Sequence, residues 1–282
     1  MRTQRGFTLV EILIALVLMG IVSTALYQLL VANQRLYRAQ VESVAINESA
    51  RAAVSIMPSE IRELSAAEGD VTAMSATSIT YKSMQALYVQ CAAPDVGALE
   101  LFLDRSIYFG LRGISAADSI LIFAEGDPTT RSDDGWLSAS VTSVTTGTAC
   151  PGTQPSITVG LAGVTGGQLA DVQGGAPVRT FRVSQVWVYT DASGDWWMGG
   201  RLFDKAGGWG ATQPIVGPLS AAGLTMTYAD TAGATTTDPA AVARVGVAVQ
   251  SQSSEEVYRT TGFTYLLQDL VTQVAVRNNP LY

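Results

Sequence analysis

Histidine is absent from the 282 residues, lysine occurs only as Lys82 and Lys205, cysteine only as Cys91 and Cys150, and charged residues make up just 15% of the chain. Without histidine there is no Ser-His-Asp or Cys-His relay, no ordinary general base near neutral pH, and none of the commonest transition-metal ligand. Two thiols cannot build a four-thiolate zinc site or an iron–sulfur cluster within one chain. The 17 basic residues are outnumbered by 24 acidic ones, for a net charge of −7. Phosphate contacts need clustered Lys and Arg, so nucleic acid is not expected as a partner. No stretch resembles a phosphate-cradling loop, and no spacing among the carboxylates singles out an acid–base pair for glycoside hydrolysis. The chain is expected to be no enzyme and to use no cofactor or metal. What it has in quantity is apolar side chains, 48% of the total, together with 27 glycines. That is ample for a packed core in one large domain or two small ones, and the Thr, Ser, Gly and Ala content suits a β-rich extracytoplasmic domain.

The longest apolar run lies at the amino terminus. Arg2 and Arg5 lead directly into residues 7–33, where the only charge is Glu11. At ~1.5 Å of rise per residue this segment spans a ~30 Å hydrocarbon layer as a helix. The basic leader places its own side in the cytoplasm and sends the remaining chain across. A secretory signal would carry a shorter apolar core and a small-residue exit site; here Leu29, Leu30 and Val31 continue in helical register into an amphipathic stretch. A plain anchor explains the hydrophobicity but not Glu11. A carboxylate that deep costs ~2.5–3.5 kcal/mol on insertion scales and is read by default as functional, with a partner.

Gly6-Phe7-Thr8-Leu9-Val10-Glu11, after a short basic leader, resembles the processing motif of type IV prepilins and type II secretion pseudopilins: a small residue at the cut, a Phe to follow, and an acid at the fifth position of the mature chain. The resemblance implies that a prepilin peptidase cuts between Gly6 and Phe7 and methylates the new amino group of Phe7. It also implies that Glu11 pairs with the amino terminus of a neighbouring subunit as a helical filament assembles. Physics agrees: buried ammonium and carboxylate are each expensive alone, and pairing between subunits offsets part of that cost while fixing the axial register. Many major pilins carry a proline about two-thirds along this segment. None is present near Gln28, and Gly20 is the one soft spot before Pro58.

Beyond the membrane segment, Tyr37, Val41, Val44, Ala45, Ala52 and Ile56 recur at three- and four-residue spacing between polar residues, so the helix continues into water with an apolar stripe to lay on something. Pro58 should kink or interrupt it. From about residue 70 the pattern changes to short β-prone runs between turn residues. Strands are predicted over residues 78–81, 86–90, 99–103, 119–123, 137–144, 156–161, 178–189, 195–203, 224–228, 244–250 and 262–266. The clearest hairpin turns at Asp191-Ala192-Ser193-Gly194-Asp195. The predicted organisation is α+β: a leader at residues 1–6, a membrane and filament-core helix at 7–33, its amphipathic continuation at 34–68, and a globular antiparallel β-sheet head at 69–282.

Loose motifs in the last third, among them Pro214-Ile215-Val216, residues 224–230 and Val274-Ala275-Val276-Arg277, are similar to large minor pilins of the PilW type and the pseudopilin J group. A head this bulky also suits a low-copy or tip position better than a dense shaft. In the oxidising compartment that the topology implies, Cys91 and Cys150 either pair or remain two buried thiols. Asp191 and Asp195 offer oxygen ligands of the kind calcium takes, although D-x-S-G-D is ordinary turn chemistry. Trp136, Trp187, Trp196, Trp197 and Trp209 are core residues or contact residues, with one of the adjacent pair at a surface. Arg179, Arg182, Arg201 and Lys205 read as a modest basic stripe or as solvated strand charges.

The expected function is that of a structural minor subunit of a type IV pilus or type II secretion pseudopilus. The expected location is the bacterial inner membrane, with the head in the periplasm, and then the filament. The expected partners are other pilin or pseudopilin subunits, prepilin peptidase and the inner-membrane assembly platform. The alternative is a membrane-anchored or pilus-tip module that recognises glycan, DNA or a surface.

Overall fold

Helix-compatible side chains run unbroken from the amino-terminal segment, and in the computed structural model they form one helix, α1 (Leu9–Ile61), of 53 residues and about 80 Å. The structure describes residues 8–110, 112–127, 129–130, 133–205, 207–259 and 262–277. The helix passes through Pro58 without interruption. The proline stands one turn before the end, where it deletes a single intrahelical hydrogen bond, and the Arg62 N–H closes the last turn onto the Pro58 carbonyl at 3.0 Å. Turns then lead from Ile61 into the sheet rather than further helix.

The strands are β1 (Val71–Ser75), β2 (Ser78–Asp95), β3 (Glu100–Gly110), β4 (Ser119–Ala124), β5 (Gly135–Cys150), β6 (Gln154–Ala162), β7 (Pro177–Thr190), β8 (Trp196–Asp204), β9 (Gly208–Trp209), β10 (Gln213–Ala229), β11 (Arg244–Gln252), β12 (Val257–Arg259), β13 (Gly262–Thr264) and β14 (Leu267–Ala275). All pairings are antiparallel. Two long strands divide their lengths between different neighbours. The first part of β7 lies between β2 and β4, and its second part lies beside β8. The strands β2–β3–β6–β5–β4–β7 therefore close into a six-stranded ring. The ring is filled by Tyr88, Leu101, Leu103, Ile120, Ile122 and Val159 and is plugged by Leu169, at the end of a one-turn helix α2 (Gly166–Leu169), and Val172, both from the connection between β6 and β7. From β7 the sheet continues through β8, β10 and β11 to the edge strand β14. Its inner face, carrying Val245, Val247 and Val249 opposite Leu224, Met226 and Tyr228, makes a second core with the end of α1.

The helix presents to that core only part of the predicted stripe. Ala53, Met57 and Ile61 are buried in it with Ala52 packed beside them, whereas Tyr37, Val41, Val44, Ala45 and Ile56 are exposed, Tyr37 to 68%. The physical reason is depth of approach. Ala50 and Ala53, both fully buried, let the helix backbone close onto the strands, and Met57 and Ile61 then fill the wider end. The other apolar face is left open. A third, smaller contact joins Ile46 to Val257 and Leu266, so that the β12–β13 hairpin clasps the helix from outside the main sheet.

Candidate assembly interface

Thr8 has extended backbone angles and caps α1. Its hydroxyl accepts the Glu11 N–H at 3.3 Å, while the Glu11 carboxylate accepts the Thr8 N–H and hydroxyl, each at 3.0 Å. This reciprocal capping box fixes the carboxylate at the positive end of the helix dipole, beside the point where the chain enters the helix. Such a carboxylate is pre-aimed to accept a cation arriving at the helix start. Arg2, Arg5, Gly6 and Phe7 lie outside the described residues. Below the cap, the Thr24 hydroxyl donates to the Gly20 carbonyl at 2.8 Å, which satisfies a polar side chain inside the apolar run and leaves the helix continuous at its glycine. The apolar side chains of this run are exposed to solvent-facing space throughout, from Leu9 through Leu30 and on to Leu36, Tyr37, Val41 and Val44. Among the described residues, α1 is the one helix long and apolar enough to cross a membrane.

The other residues marked by the sequence sit in the head, away from this segment, and are engaged within the fold. Cys91 and Cys150 are joined as a disulfide with Cα atoms 5.3 Å apart, tying β2 to the end of β5 across the ring. The Asp191 carboxylate is committed to its turn: Oδ1 accepts the Ser193 and Asp195 N–H groups and Oδ2 accepts the Trp197 indole N–H at 3.1 Å. Trp196 packs on the helix-side core. Trp197 lies on the opposite face of β8 against Gly217, where any side chain would collide with its ring. Both are half-buried, so each of the pair is partly exposed, where one was expected at a surface. Arg201 is sandwiched between Trp187 and Trp209, 4.5 and 4.6 Å from the two rings, with Gln185 accepting its Nε and Nη2 protons. Arg179 lies over Trp136 at 4.4 Å. The basic stripe is thus taken up by internal aromatic and carboxylate partners.

The residue that sequence reasoning missed is Asp118, fully buried where the ring meets the open sheet. Its carboxylate accepts two bonds from the Arg112 guanidinium, Nε of Arg182 at 2.9 Å, and the N–H and hydroxyl of Ser115, and its carbonyl accepts Lys205 Nζ. Burial pushes the carboxyl upward, and the hydrogen bonds from Arg112, Arg182 and Ser115 outweigh that push, holding it below the usual carboxylate value. Burial lowers Lys205 despite the attraction of Asp118 and Asp204. The only local signal was the Ser115-x-x-Asp118 spacing, which marks a turn. Arg112 is six residues away, but Arg182 on β7 and Lys205 just after β8 are distant in sequence and could not be foreseen.

The prokaryotic N-terminal methylation motif matches residues 1–27. No curated protein and no solved structure is similar to the chain at a meaningful level.

Proposed function

From a chain that carries the type IV prepilin-like signal, and is therefore a membrane-anchored, type IV pilin-like protein, we propose a structural minor subunit of a type IV pilus or type II secretion pseudopilus. It would be processed between Gly6 and Phe7 and act in filament assembly or at the tip. The observation that carries this reading is a mismatch of lengths. Exposed apolar side chains extend over residues 9–44, about 54 Å of helix at ~1.5 Å per residue. A bilayer core of ~30 Å covers only about 20 of those residues. The remainder, Leu36, Tyr37, Val41 and Val44, forms a stripe at i, i+1, i+5 and i+8 on the face turned away from the head's core. A simple anchor has no use for it. Helices of neighbouring subunits packed side by side would cover both parts, and they would bring the free amino group of one subunit to the capped carboxylate of Glu11 in the next.

A head that combines a closed ring with an open sheet is wide for a close-packed shaft, which favours a low-copy position. Sheared filaments or pseudopili from cells expressing a tagged copy test the proposal. The subunit should co-purify with them in substoichiometric amount. Filaments free of it, formed at normal number and function in its absence, would refute the assignment.

A further inference from the structure

We propose that the β12–β13 hairpin is a membrane-resting foot: its aromatic end lies in the headgroup layer of the bilayer that holds α1 and seats the head before assembly. The inference rests on membrane anchoring, which the apolar helix and the prepilin-like signal support. The hairpin follows the helix downward. Ser254 donates to the Glu42 carboxylate at 2.9 Å through its N–H, Val257 packs on Ile46, Tyr258 lies under the Arg35 guanidinium at 4.4 Å, and Phe263 reaches a shallow cavity shared with Val31 and Gln34.

That level along the helix is where the bilayer ends. Starting from Leu9, the ~30 Å hydrocarbon core takes about 20 residues, and an outer headgroup layer of roughly 6 Å takes about four more. The headgroup layer therefore ends near residue 32, and residues 31–35 stand at its boundary with water or within about 5 Å of it. Two aromatic rings at this level, Tyr258 and Phe263, form an edge-to-face pair with centroids 5.4 Å apart. They are nonetheless exposed, Phe263 to 63%. A soluble surface gains nothing from leaving a paired Phe and Tyr uncovered, whereas amphipathic aromatics are enriched at membrane interfaces. Arg35, Arg38 and Arg259 together with Glu256 surround the rings and are exposed, a mixed-sign rim suited to zwitterionic headgroups. The patch is continuous with the membrane-embedded face of α1, so bilayer lipid is the occupant it fits.

The test uses the full chain reconstituted into phosphatidylcholine vesicles, with lipid brominated on the acyl chains just below the headgroup as a tryptophan quencher. A Phe263→Trp variant adds one reporter to the native tryptophans, and Tyr258→Trp provides a second at the same level should the first fail to fold. Val271→Trp, on the outer face of β14, is the control for an equally exposed site higher on the head, and Leu18→Trp reports on the helix itself. The added emission of Phe263→Trp or Tyr258→Trp should be blue-shifted and lost in brominated vesicles, with Val271→Trp unaffected. Quenching of Leu18→Trp with unquenched emission at both 258 and 263 would overturn the foot while leaving the anchor standing. If Leu18→Trp is also unquenched, anchor and foot fall together. Emission from position 263 that becomes shielded only in filaments would assign the patch to a neighbouring subunit and overturn the lipid contact.

Discussion

Replacing Glu11 separates two roles that the structure gives the same carboxylate. One is local: the capping box with Thr8, worth on the order of 1 kcal/mol at a helix start. The other is the proposed pairing with a neighbouring subunit's amino group. Glu11→Gln retains a side chain that completes a capping box and removes only the charge. Glu11→Val removes both, and it relieves an insertion penalty that is at most ~2.5–3.5 kcal/mol, the figure for a charge at the bilayer centre, and smaller for a group in the first turn of the helix. The relief offsets the lost cap, so neither variant should leave the membrane fraction. Both variants should nevertheless be lost from filaments, because a neutral side chain offers an incoming ammonium no counter-charge in apolar surroundings. The assay is fractionation: membrane-bound and filament-bound subunit, each quantified by immunoblot for wild type, Glu11→Gln and Glu11→Val. Wild-type incorporation of Glu11→Gln would refute the charge-pairing argument and leave Glu11 as a cap. Loss of either variant from the membrane would refute the energetic ordering.

Three further predictions concern the head. Asp118→Ala leaves Arg112 and Arg182 without their shared carboxylate and should lower stability by ~3–5 kcal/mol, read as a shifted urea midpoint of tryptophan fluorescence in the detergent-solubilised chain; a loss under ~1 kcal/mol would contradict the hub. The folded carboxyl of Asp118 is held below its unfolded value of about 3.9, so its contribution is complete above that pH and is lost as pH falls below it. The acid slope should therefore flatten in Asp118→Asn, while Asp70, raised by burial, acts in the opposite sense. The Cys91→Ser/Cys150→Ser double variant opens a crosslink of sequence separation 59 and should cost up to ~4 kcal/mol by chain-entropy reasoning. Protease cleavage within the ring at unchanged membrane anchoring would show it.

Local features were legible in the sequence, and closures were not. The prepilin-like signal needs only six consecutive residues, and the β7–β8 hairpin shows itself through two β-prone runs flanking Gly194, whose φ of 90° the turn requires. Residues 78–81 and 86–90 read as two strands but are one, β2, because Lys82, Ser83 and Met84 between them pair with β7 and Gln85 is taken up as a bulge rather than a turn. The last part of β5, Thr145 to Gly147, looks like a loop yet pairs with β6. Edge strand β14 went unpredicted because Gln268, Asp269, Thr272 and Gln273 dilute its apolar signal, and the structure leaves most of it exposed. The buried helix stripe was partly misassigned because α1 carries two apolar faces, and only the facing sheet selects between them. Ring closure depends on partners from distant strands, and the Asp118 hub adds to its local Arg112 and Ser115 the distant Arg182, 64 residues beyond the aspartate, a relation no local pattern records.

The most direct measurement is the intact mass and amino-terminal peptide of the protein recovered from its native membrane. The account predicts a chain that begins at Phe7 with a methylated amino group. A native chain that retains Met1, with residues 1–6 still attached, would contradict it and reduce α1 to a tether.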